Sequence, residues 1–252
     1  MLLAQVLGAL ASSAALAALA VRHGWAGGGG GGRGCSSSSS ISTNDATPLL
    51  GTPVKLLVAS SADEINLHLG TLLRGGPTCL GLDAEWRPER GRQGRQSPVA
   101  VLQLASEDVV VVLQMLRATD GGRQEAPRLL RELLAAPHIV KMGVGIHDDA
   151  QRLRDSFGLE CRGCLDLRAL LQDRSLALHS AAAAAGGPAP APGLKGLAAH
   201  VGIPVDKEHE VRVSDWQAHT LTAAQVKYAA EDGATCARTR ARVALDTTAL
   251  TV

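Results

Sequence analysis

Short apolar runs, broken by polar or glycine-rich stretches, dominate the middle of the chain and read as β-strands. Residues 54–59, 99–105, 109–114 and 139–145 are runs of this kind. The pair 99–105 and 109–114, divided by Ser106-Glu107-Asp108, predicts a β-hairpin with a tight turn. Residues 80–86, Leu-Gly-Leu-Asp-Ala-Glu-Trp, predict a buried strand bounded upstream by Gly75-Gly76-Pro77, and 165–167 predict a shorter one. Helical patterns lie between them. One opens at Ser61-Ala62-Asp63-Glu64 and runs to 73, and an amphipathic one covers 126–134 and stops at Pro137. Others run from Gly145 to about 157, over 194–201, and over the Ala-rich stretch 222–243. This order predicts an α/β fold: a mixed sheet with helices on both faces and the strand 80–86 central.

Outside that alternation the pattern changes. Residues 2–21 carry no charged side chain, are rich in Leu and Ala, and are followed by Arg22 and His23. Their length suits a membrane-crossing helix, and Arg22 favours a cytosolic location for the residues after it. Ala18-Leu19-Ala20 also resembles a signal-peptide cleavage site, though no basic region precedes it, and a weak organelle-targeting helix is a third reading. The expected organisation is an anchor or targeting segment at 1–25, a Gly/Ser-rich linker at 26–52, and a folded domain at 53–252. A low-complexity Ala/Gly/Pro insertion interrupts that domain at 179–193.

Composition refines this picture in three respects. Apolar residues make up 46% of the 252 but aromatics only 2%, so the core must be aliphatic. The net charge of +1 gives no global field towards nucleic acid, leaving that work to a local basic groove or a metal. Five cysteines (Cys35, Cys79, Cys161, Cys164, Cys236) are odd in number and scattered, as expected of reduced thiols in an intracellular compartment.

The candidate chemistry is acidic. Asp83 and Glu85 are two apart on a strand and so share one face, where they would repel unless a cation lay between them. Asp148 and Asp149 occupy the first turn of a helix, where capping accounts for one acid better than for two. Tyr228 and Asp232 are four apart and lie on one helical face. If Asp149 and Asp232 converge on the end of strand 80–86, four acids form a clamp for two divalent ions, suited to in-line displacement at phosphorus. Tyr228 is then placed to orient the attacking water. Other candidates read as structure. Cys161-Arg-Gly-Cys164 lacks the second ligand pair that zinc needs, His147 suits a surface or cap position, and Trp216 and Phe157 suit the core. Arg87, Arg90, Arg92 and Arg95 fill a polar loop, solvated or holding phosphate. Gly233 inside the last helix has no evident reason.

Asp83-Ala-Glu85, Gly145-Ile-His-Asp-Asp149 and Tyr228-Ala-Ala-Glu-Asp232 together resemble the three motifs of the DEDD-type 3′–5′ exonucleases, in the Tyr-bearing branch. The resemblance extends to 140–145, 162–168, 194–198 and 214–216, and departs at Glu231 and Gly233, where Arg and Ala are usual. It implies a ribonuclease-H-like fold and two Mg²⁺ or Mn²⁺ ions held by Asp83, Glu85, Asp149 and Asp232, with Tyr228 as water-orienting residue and Asp148 a bystander. It also implies hydrolysis from the 3′ ends of single-stranded RNA or DNA, a homodimer, and residence at the mitochondrial outer membrane with the domain facing the cytosol. Another intracellular membrane or the nucleus is the alternative location. A catalytically silent nucleic-acid-binding or scaffold module on the same fold is the alternative function. The early stop after the domain suggests a short isoform or a fragment.

Overall fold

A computed structural model describes residues 47–88, 96–169, 193–200, 202–205 and 208–249. Residues 1–25, the linker up to residue 46, Arg90, Arg92 and Arg95, and residues 179–192 of the insertion lie outside these. Among the described residues no helix is long and apolar enough to cross a membrane.

Among the described residues seven strands form one mixed sheet. In chain order they are β1 (Thr47–Leu49), β2 (Thr52–Ala59), β3 (Cys79–Trp86), β4 (Val99–Ala105), β5 (Val109–Gln114), β6 (Val140–Gly143) and β7 (Cys164–Asp166). Their spatial order is β1-β2-β5-β4-β3-β6-β7. The β1–β2, β3–β4 and β4–β5 pairs are antiparallel, while β2–β5, β3–β6 and β6–β7 are parallel. The helices are α1 (Ala62–Leu73), α2 (Met115–Ala118), α3 (Arg128–Ala135), α4 (Ile146–Phe157), α5 (Leu194–His200), α6 (His209–Arg212) and α7 (Ala223–Ala249).

Period-2 alternation divides each central strand between two cores. Leu80, Leu82 and Ala84 of β3 and Leu102 and Leu104 of β4 pack with Ile65 and Leu69 of α1, Leu130 and Leu133 of α3, and Ile146 and Leu153 of α4. Val101 and Ala105 of β4 and Val110 and Val112 of β5 pack with Ala229, Ala230 and Ala234 of α7 on the other side. Helices therefore cover both faces, with β3 an interior strand between β4 and β6.

Three boundaries differ from the sequence expectation for local reasons. The sheet starts at Thr47, inside the stretch expected to be linker, because Leu50 (φ 52°) and Gly51 (φ 76°) make a two-residue turn joining β1 to β2. The run 139–145 forms strand only over β6, because Gly145 takes a left-handed conformation (φ 73°) to start α4. Thr222 caps α7 instead of beginning it: its Oγ1 accepts from Gln225 N at 3.2 Å, and Gln225 Oε1 accepts from Thr222 N at 2.9 Å.

Candidate metal centre

The face of β3 that turns towards α7 carries Gly81, Asp83 and Glu85. Gly81 has no room for a side chain: a Cβ there would come within 2.6 Å of Ala237 N and 3.0 Å of Cys236 Cβ. The same close approach explains Gly233, whose own Cβ would sit 3.2 Å from that of Gln103 and 3.6 Å from that of Ala105. Two glycines thus let the helix lie directly against the sheet, and Asp232, beside Gly233, is carried onto the acids of β3.

One carboxylate oxygen from each of Asp83, Glu85 and Asp232 lies within 4.8 Å of the other two, and Asp232 is 2% exposed. Among the described residues this is the single group of three or more His, Cys, Asp or Glu side chains close enough to share an ion. A shift in strand register between Glu85 and Trp86 marks the end of the acidic face. Three carboxylates gathered at a half-buried strand end suit a hard divalent cation with oxygen preference.

Asp149 is the fourth predicted acid, and it is not part of that trio. It sits in the first turn of α4, almost fully buried. Burial pushes its carboxyl up to about 7, the charges of Asp148, Cys164 and Asp166 push the same way, and Arg152 opposes them. Asp148 and His147 are exposed, His147 in the surface position expected of it. α4 is fastened at several points. Arg152 stacks over the Trp86 ring at 4.0 Å and donates from Nη1 to Ser97 O at 3.3 Å. Ser156 Oγ accepts from Val99 N at 3.0 Å.

Tyr228 precedes Asp232 by one turn of α7 and is 6% exposed, with its ring centroid 5.9 Å from that of Trp216. Trp216 is a core anchor, 1% exposed, and donates from Nε1 to Arg212 O at 3.1 Å. Phe157 packs against the α1–α3 core.

Two features escaped the sequence reading. Asp166, at the end of β7, accepts from Gly145 N at 3.1 Å and from Arg168 Nη2 at 2.5 Å, so it fixes the start of α4. Those hydrogen bonds hold the Asp166 carboxyl below its ordinary range despite its partial burial. The Asp-Leu-Arg spacing was a usable signal for this pair. Gln103 is the other: a fully buried amide in the apolar strand β4, directly opposite Asp83.

The cysteine pair lies elsewhere. Cys164 Sγ and Cys161 Sγ are 3.4 Å apart beside the buried Lys141, and no zinc-type ligand set forms around them among the described residues.

A family model described as 3′–5′ exonuclease matches residues 64–244. The chain is 39% identical over 173 residues to human "Exonuclease 3′-5′ domain-containing protein 2", a match covering 68% of this chain and 25% of that protein. It therefore spans about a quarter of that relative's length. By structure it resembles the Aedes aegypti Nibbler EXO domain, with a TM-score of 0.60 at 17% identity over 78% of this chain and 90% of that one. It also resembles Escherichia coli RNase D, an exoribonuclease involved in structured RNA processing. There the TM-score is 0.56 at 21% identity, over 77% of this chain and 45% of that one. These likenesses bear out the ribonuclease-H-like mixed α/β fold.

Proposed function

Because the chain belongs to the 3′–5′ exonuclease family, we propose that it hydrolyses the terminal phosphodiester bond at 3′ ends of single-stranded RNA or DNA, using two Mg²⁺ or Mn²⁺ ions. The observation that carries this reading is the trio of carboxylates within 4.8 Å of one another at the end of β3. Bound ions would supply the positive charge that an in-line displacement at phosphorus needs at the attacking and leaving oxygens. Asp83, Glu85 and Asp232 would hold those ions, with Asp149, at the start of α4, the fourth ligand in this reading. The Tyr228 hydroxyl orients the attacking water by hydrogen bond. A phenol hydroxyl both donates and accepts hydrogen bonds, which suits it to orient a water.

The uncharged run 2–21 supports a membrane tether, and the family resemblance adds residence at the mitochondrial outer membrane with the domain in the cytosol, and a homodimer, to this proposal. Alkaline extraction of membranes from cells expressing the full chain tests the tether, since a peripheral protein would wash off. For the chemistry, the full chain is incubated with 3′-labelled RNA and DNA in Mg²⁺ or Mn²⁺. Metal-stimulated release of single nucleotides is expected, and Asp83→Asn with Glu85→Gln should abolish release while substrate still binds. A wild-type chain that binds labelled strands and releases nothing in either metal would instead be a catalytically silent binding module.

A further inference from the structure

β4 is buried along its whole length, and six of its seven residues are apolar. The exception, Gln103, is 0% exposed, yet among the described residues neither its Oε1 nor its Nε2 has a hydrogen-bond partner. Buried amides are almost always paired, so an unpaired one in an otherwise apolar strand calls for a reason. Its neighbours supply one. Across the antiparallel pairing Gln103 faces Asp83 on one side, and Val112 flanks it on β5. Above it passes the turn of α7 that carries Asp232 and Gly233, with the Gly233 backbone close over the Gln103 Cβ. Directly opposite residues on antiparallel strands have Cβ atoms about 5 Å apart, within reach of a glutamine amide. Val112 offers no polar side-chain atom, so of its two cross-strand neighbours only Asp83 can pair with this amide through its side chain.

We propose that Gln103 is a positioning residue of the metal centre: in the metal-bound state its side-chain N–H donates to the Asp83 carboxylate and fixes the orientation in which Asp83 holds the ion. A neutral donor suits this place. Lysine or arginine there would compete with the cation for the same oxygens, whereas an amide orients a carboxylate and leaves its charge for the metal. Full burial separates Gln103 from substrate, so it acts through Asp83 alone.

This inference rests on the metal-dependent reading above, and the test separates the two. Full-length wild type and Gln103→Met, a near-isosteric apolar variant, are titrated with Mn²⁺ by calorimetry, and each is melted without metal. The expected result is a Kd for Mn²⁺ weakened roughly 10-fold or more in the variant, with the metal-free melting temperature unchanged or raised. The smaller thermal gain on adding Mn²⁺ should follow from that weakening. A role in the metal-free fold alone would lower the metal-free melting temperature and leave the Kd intact. Wild-type affinity in Gln103→Met overturns the proposal, as does loss of its cooperative metal-free melt. A wild type that binds no Mn²⁺ takes down the metal-dependent reading and this inference together.

Discussion

The β6–β7 edge and the end of β3 both bury charged or polar groups in the sheet, and they resolve the cost differently. At the β6–β7 edge, Lys141 is fully buried but donates from Nζ to Ala136 O at 2.7 Å and Leu133 O at 3.4 Å. Its ammonium also faces the Cys161–Cys164 pair. The Cys161 hydrogen bond holds the Cys164 thiol down at about 7 against its burial, with Lys141 helping, while the hydrogen bond to Cys164 and burial push the Cys161 thiol up. That cluster contains its own cation. At the end of β3, by contrast, Asp83, Glu85 and Asp232 converge with a buried amide beside them. Carboxylates gathered in a half-buried place repel one another, and a divalent cation with a preference for oxygen relieves that repulsion.

The largest expected effect breaks the second region. Asp232→Asn removes one of the three converging carboxylates, and nucleotide release in Mn²⁺ should fall by at least about 100-fold, measured on a 3′-labelled strand. Its melting temperature without metal should hold or rise as like-charge repulsion is relieved. Next comes the packing that assembles the trio. Gly81→Ala places a methyl against the α7 backbone and should destabilise the fold by about 3 kcal/mol, read by denaturant melts, with a parallel loss of metal binding.

The first region should respond to pH in the opposite sense from a helpful ion pair. Burial lowers Lys141 from its ordinary 10.5 to about 8. Between those values the unfolded chain holds a proton that the folded chain has released. Stability therefore rises as pH climbs from about 8 to 10.5, and the charged lysine costs about 3 kcal/mol at neutral pH. Lys141→Met should abolish that alkaline rise in ΔG of unfolding. If the variant keeps the rise, the lysine is not its source. The smallest effect belongs to the exposed Arg87–Asp215 pair, with side chains 56% and 51% exposed. Arg87→Ala should change stability by less than about 1 kcal/mol.

Legibility in the sequence followed physical range. The Val99–Ala105 and Val109–Gln114 strands, and the helix that starts after Gly145, were readable because each is specified by neighbours a few residues away. Asp83 and Glu85 share a face by strand period alone, and Tyr228 and Asp232 by helical period. What brings Asp232 to β3 is a backbone approach between Gly81 and Gly233, 152 positions apart, and nothing local to either glycine announces it. β1 was missed because its three residues contain Pro48 and its turn uses Leu50 in place of the usual Asn or Asp. Gln103 looked like one polar residue in an apolar run, and only the pairing with Asp83 gives it meaning.

The most direct test of the central claim is anomalous scattering from crystals of this protein soaked in Mn²⁺. The account predicts a manganese peak coordinated by carboxylate oxygens of Asp83, Glu85 and Asp232, lost in Asp83→Asn/Glu85→Gln. Ordered carboxylates in wild-type crystals with no manganese among them, at a concentration that saturates other Mn²⁺ enzymes, would contradict it.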